Sequence, residues 1–170
     1  MRPGCSKDLS RISQAIGGAI LTPVVADASA LLPAWLPSER HQADADRLIE
    51  LHARGKIQLC GPPLLPHEIL NGLYLAVRGK AGSPPRLTKE GARERWKLFQ
   101  QLQIQVRDTP DLGERILELS LAYGRPSAYD MTYVALAESL GAVMVTADER
   151  LLNAVGKELP WVQLLWEFEL

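Results

Sequence analysis

Thr22-Pro23-Val24-Val25-Ala26-Asp27-Ala28-Ser29-Ala30-Leu31-Leu32 opens as a strand and closes as a helix, with an acid at the junction. A short continuous apolar run with β-branched residues is the pattern of a strand covered on both faces, as parallel strands are. The alanine- and leucine-rich pattern over 28–35 that follows Asp27 has helical spacing. Strand, acid and helix in that order begin an α/β unit, and they put the carboxylate at the strand's carboxyl end, where open α/β sheets bind their ligands.

Four more apolar runs extend the reading: Lys56-Ile57-Gln58-Leu59-Cys60, Gln103-Ile104-Gln105-Val106-Arg107, Ala142-Val143-Met144-Val145-Thr146 and Trp161-Val162-Gln163-Leu164-Leu165. The first and fourth of the five runs are continuous enough to be central. The second, third and fifth alternate or are mixed, as edge-ward strands do. Helical patterns lie between them over 43–54, 65–77, 88–101, 112–123 and 128–140, with a short one from Glu149. Gly55, Gly124 and Gly141 stand just past helix ends, where a left-handed residue is wanted. The alternation predicts a mostly parallel sheet sandwiched between helices. Residues 78–87, with Gly79, Gly82, Ser83, Pro84 and Pro85, read as a turn-rich insert.

Bulk properties narrow the classes. A chain of 170 residues is of single-domain size and buries a core without structural disulfides or metals. With 46% hydrophobic and 23% charged residues it has a soluble globular composition. A net charge of −1 excludes a chain that binds polyanions as a whole, so any nucleic-acid contact needs a local basic patch. Cys5 and Cys60 have no metal-ligand spacing and read as reduced thiols in a cytoplasmic protein. No apolar run approaches the ~18 residues of a membrane span, and the start lacks a signal peptide's apolar core. Residues 1–21 read as an N-terminal extension and 22–168 as the domain.

The chemistry rests on acids. Asp27 follows the first strand, and Asp148 lies two residues past the fourth; if those strands are neighbours at the switch point, the two carboxylates face each other. Glu68 flanks an apolar stripe of Leu65, Ile69, Leu73 and Ala76, an unusual place for an acid unless a cation meets it. Asp130 opens the sixth helix, and periodicity alone does not bring it to that rim. A helix running back into a parallel strand is expected to start at the opposite rim unless it is tilted or follows a long loop. Each acid also has a local reading. Asp27 and Asp148 can be N-caps, Ser127 and Asp130 can form a capping box, and Glu68 can pair with Arg78. Arg125 and Arg150 are candidate nucleic-acid contacts, with Arg78, Lys80 and Arg86 on the insert as further cations. His41, His52 and His67 are too dispersed to serve as a catalytic set, and the four tryptophans read as core or interface.

Four stretches together resemble the PIN-domain nucleases, in particular the toxin-type members known as VapC. They are Val24-Val25-Ala26-Asp27-Ala28-Ser29-Ala30-Leu31-Leu32, Pro66-His67-Glu68-Ile69-Leu70-Asn71, Ser127-Ala128-Tyr129-Asp130-Met131-Thr132-Tyr133-Val134-Ala135-Leu136-Ala137-Glu138 and Val145-Thr146-Ala147-Asp148-Glu149-Arg150-Leu151. The resemblance implies a three-layer α/β/α sandwich with a central five-stranded parallel sheet. It also implies that Asp27, Glu68, Asp130 and Asp148 are the catalytic acids and bind Mg²⁺ or Mn²⁺, with Ser29 and Thr146 supporting them. An endoribonuclease, a cognate antitoxin and a homodimer are the function and partners it implies. Met131 stands where a smaller residue is frequent, and the N-terminal extension has no counterpart.

Two rivals remain at this level. Phosphatases of the haloacid-dehalogenase type want a second Asp two residues after the first, where this chain has Ser29; a phosphoacceptor receiver wants a Lys after the fifth strand, where Trp166-Glu167 stands. The other rival is a non-catalytic PIN-like module that binds RNA or protein, against which all four acids argue.

Overall fold

The computed structural model describes residues 21–37, 39–79, 84–108 and 110–170. Five parallel strands form one sheet: β1 (Thr22–Ala26), β2 (Ile57–Gly61), β3 (Gln105–Val106), β4 (Val143–Thr146) and β5 (Val162–Leu164). Their order is β3-β2-β1-β4-β5. Among the described residues seven α-helices connect them: α1 (Ala28–Leu31), α2 (Gln42–Ala53), α3 (Leu65–Arg78), α4 (Lys89–Gln101), α5 (Gly113–Ala122), α6 (Tyr129–Leu140) and α7 (Glu149–Val155). The expected N-terminal extension lies almost wholly outside the described residues, as do Cys5 and Lys80.

The strand order explains the layers. From β1 the chain steps outward through β2 to β3, then returns past β1 to β4 and steps the other way to β5. Right-handed crossovers therefore place α1 to α4 on one face and α5 to α7 on the other. The packing agrees: α2 lies on β2 and α3 on α4, while α6 covers β1 and β4 and α7 covers β5. The reversal falls between β1 and β4, whose registers pair Val24 with Val143 and Ala26 with Val145. This is the switch point, and the crevice opens at its carboxyl rim.

Two expectations need correction. β2 is not edge-ward but sits between β1 and β3, and four of its five residues are buried. Gln58 is its single polar interruption, so alternation there did not signal an exposed face. The third run narrows to two exposed paired residues, as short edge strands do when they limit further pairing. Asp130 is also better placed than periodicity implied. A helix that feeds the amino end of a parallel strand must begin at the carboxyl rim, and α6 does. Six of the twelve α6 residues, Met131 and the run Tyr133 to Ala137, are buried because α5 covers the side away from the sheet.

Candidate active site

Asp27 is fixed at the junction it occupies in sequence. Its backbone N–H donates to Val145 O at 3.2 Å, which ties the ends of β1 and β4 together. Ser29 Oγ donates to Asp27 Oδ1 at 2.6 Å, and Thr146 Oγ1 donates to Asp27 Oδ2 at 2.6 Å. Both hydroxyls are held in turn: Ser29 Oγ accepts from Ala147 N at 2.8 Å and Thr146 Oγ1 from Asp148 N at 3.0 Å. Asp27 Oδ1 also accepts from Ala30 N at 2.9 Å, so the residue caps α1 as well. Burial pushes its pKa up to about 6, against the downward pull of Ser29, Thr146 and Ala30, and the charge of Glu68 adds to the rise.

Glu68 lies in the first turn of α3, whose Leu65, Ile69, Leu73 and Ala76 are buried as the stripe predicts. Its partner is not Arg78: the phenol of Tyr133, one turn beyond Asp130 on α6, donates to Glu68 Oε2. Burial raises the Glu68 pKa, the Tyr133 hydrogen bond lowers it, and the Asp130 charge raises it. Tyr133 is the residue beside the candidate acids that sequence reasoning missed. Its spacing of three from Asp130 places both on one helix face, a usable signal.

Asp130 forms no capping box. α6 starts from Ala128 without a side-chain cap, and Asp130 Oδ2 instead accepts from Arg125 Nη2 at 2.7 Å. The same nitrogen stands 4.0 Å from Asp148 Oδ2. Asp148 Oδ1 caps α7 by accepting from Arg150 N at 2.8 Å. Capping and site membership thus coincide at Asp27 and Asp148. Arg125, a candidate RNA contact by sequence, is turned inward onto the acids, whereas Arg150 is exposed.

Two acid pairs result. The inner pair, Asp27 and Glu68, is held by hydroxyls and carries raised pKa values; the outer pair, Asp130 and Asp148, is spanned by a guanidinium. Among the described residues no three His, Cys, Asp or Glu side chains are grouped as a ready-made ion site. The donor set still suits the hard divalent ion that the resemblance implies, since carboxylate oxygens are the ligands Mg²⁺ and Mn²⁺ prefer, and a pair of them with water suffices for Mg²⁺.

A groove of about 840 Å³ runs from Ser29 and Asp148 past Leu32, Arg40 and Arg150 to Trp166. Trp166 stacks on His41 at 3.8 Å between ring centroids. His52 bridges backbone groups, its Nε2 lying 2.8 Å from Leu102 O, and His67 lies 3.2 Å from Pro63 O. None of these histidine contacts is to the four acids. Arg86 pairs with Glu39 at the groove's far side.

Residues 24–157 match the PIN domain family. The chain belongs to that family. It is 34% identical over 138 residues to VapC ribonuclease Mb0985 of Mycobacterium bovis and equally to ribonuclease VapC9 of Mycobacterium tuberculosis, covering 81% of this chain and 94% of each relative. Ribonuclease VapC3 of Pyrobaculum aerophilum is 29% identical over 132 residues, covering 75% of this chain and 91% of that protein. Two solved structures share the fold. PAE2754 of Pyrobaculum aerophilum superposes with a TM-score of 0.57 at 23% identity, covering 88% of this chain and 93% of its own. VapC20 of Mycobacterium tuberculosis, described as a sarcin-ricin loop cleaving toxin, gives 0.55 at 18% identity, covering 77% and 94%.

Proposed function

We propose that the protein is a metal-dependent endoribonuclease of the toxin type, cutting RNA at Asp27, Glu68, Asp130 and Asp148 with Mg²⁺ or Mn²⁺. One observation carries this reading: an acid held by two hydroxyls at the switch point, with its pKa raised to about 6 by burial and by the charge of Glu68. A structural cap needs no such burial, whereas a site awaiting a cation tolerates it. The names of the relatives, all ribonucleases, supply the reaction class.

Asp27 and Asp148 would hold the ion directly, and Glu68 and Asp130 directly or through water. Bound there, a divalent ion lowers the pKa of a water and neutralises phosphate charge. Ser29 and Thr146 keep the Asp27 carboxylate in one orientation, and Tyr133 does the same for Glu68. The proton that burial favours on Asp27 has to leave before the carboxylate can act as a ligand. Either Glu68 or Asp130 orients the attacking water. The groove admits an RNA strand beside Asp148, with Arg150 on its wall to meet phosphates.

An antitoxin protein and a second copy of the chain are the partners this reading implies, and the cytoplasm is its compartment. Leu117 and Leu121, one turn apart on α5, and Leu70 and Tyr74 on α3 are exposed apolar side chains that support such contacts. No helix among the described residues is long and apolar enough to cross a membrane.

The deciding experiment maps RNA ends in cells expressing the wild type, Asp27→Asn or Asp148→Asn, alongside cleavage of the mapped RNA in vitro with Mg²⁺. Loss of at least about 100-fold in either variant, with an unchanged circular dichroism spectrum, is the expected result. Full activity in either variant overturns the site. A wild type that leaves RNA intact with both ions leaves a PIN-like binding module.

A further inference from the structure

We propose that Arg125 is the resident counter-cation of the outer acid pair: it holds Asp130 and Asp148 while no divalent ion is bound and yields them when one arrives. This rests on the metal-dependent reading above. Arg125 lies in the connection between α5 and α6, and its side chain is only 11% exposed. Arginines that wait for phosphate on a surface are not buried to that degree, and a charge so withdrawn from water needs acids to face. Its Nη2 supplies that contact, at 2.7 Å from Asp130 Oδ2 and 4.0 Å from Asp148 Oδ2.

The rest of the guanidinium is poorly used. Nε is buried without a hydrogen-bond partner, and Nη1 reaches the Arg150 carbonyl only at 3.4 Å. Five donors in a rigid fork normally saturate when arginine serves as a permanent strut. Here one charge-assisted hydrogen bond, to Asp130, and the nearby charge of Asp148 hold the group. The two acids it spans are half of the proposed ligand set, and among the described residues no three acids come together. A dication sharing those carboxylates would stand a few ångströms from a positive charge. That repulsion lowers affinity by about tenfold or more even in water-like surroundings. Displacement of Arg125 is therefore part of loading the site, and the arginine sets how much free ion is needed.

The test titrates the full chain with Mn²⁺ and follows free ion by electron paramagnetic resonance. Arg125→Ala should bind Mn²⁺ about tenfold more tightly than the wild type, and Arg125→Lys, which keeps the charge, should stay near it. A merely structural role predicts the reverse, because a loosened site binds less well. Unchanged or weaker binding by folded Arg125→Ala overturns the proposal. Should Arg125→Ala fail to fold, the wild type decides through its Arg125 Nε–H nitrogen-15 resonance, assigned by its absence in Arg125→Lys. That resonance should move on saturation with Mg²⁺, and a resonance that stays in place overturns the proposal. If neither the wild type nor Arg125→Ala takes up Mn²⁺, the divalent reading itself falls; if both bind equally, only the role of Arg125 does.

Discussion

At the scale of residues, the site is built from hydroxyls that aim acids. Ser29 and Thr146 each accept a backbone N–H and donate to Asp27, so a serine two residues on and a threonine on another strand fix one carboxylate. The family resemblance implies both as supports. Tyr133 was not legible in sequence, because a buried aromatic on an apolar helix reads as core until its hydroxyl is seen on Glu68. The phenol's hydrogen bond favours the charged form of Glu68, so Tyr133→Phe should raise that pKa further. We expect RNA cleavage to fall by about tenfold, with its pH profile displaced to higher pH. The stability loss, read by urea titration, should be only about 1 kcal/mol. An unchanged pH profile would show that Tyr133 is simply packing. Burial leads the rise in pKa at both inner acids, with neighbouring carboxylates secondary.

At the scale of elements, most segments follow their sequence signals. Thr88 caps α4 by accepting from Gly91 N at 3.0 Å, and Gly55, Gly124 and Gly141 all take positive φ. The capping box at Ser127 failed because Asp130 finds a charged partner, and a charge-assisted bond outweighs a backbone N–H already near water. α4 shows how an outlying helix is secured. Its Phe99 stacks on Trp96 at 5.2 Å and meets Trp35 edge-on at 5.9 Å, while Arg95 Nε donates to Trp35 O at 2.6 Å. Trp35 is thus core and half-buried Trp96 packs against it, within the core-or-interface reading of the sequence, and Trp166 lines the groove. Phe99→Ala removes the central ring and should cost about 3–4 kcal/mol. A urea midpoint lowered with an unchanged slope would check it, and a loss under 1 kcal/mol would show that α4 is held elsewhere.

At the scale of the whole molecule, the buried acid makes stability depend on pH. The folded pKa of Asp27, about 6, lies above the 3.8 ordinary for an aspartate, so the folded state retains a proton that the unfolded chain releases. Stability from this group is therefore present below about pH 4 and is lost as pH rises through 6, by up to about 3 kcal/mol. Glu68 acts in the same direction, and half-buried Glu138, lowered by Arg115, in the opposite one. With chelator present, Asp27→Asn should melt at a higher temperature than the wild type at pH 7.5, and the gap should close at pH 4.5. Mg²⁺ should narrow the gap at pH 7.5 by stabilising the wild type. An equal gap at both pH values would contradict the raised pKa. The sequence by itself determined the α/β alternation, the central place of β1 and β4 and the positions of Asp27 and Asp148, because periodicity and strand-end placement are local properties. Only the tertiary structure decided that β2 is internal, that Tyr133 serves Glu68 and that Arg125 turns inward between Asp130 and Asp148. Those depend on which faces meet across the fold, and on how deeply a charge is taken from water when they do.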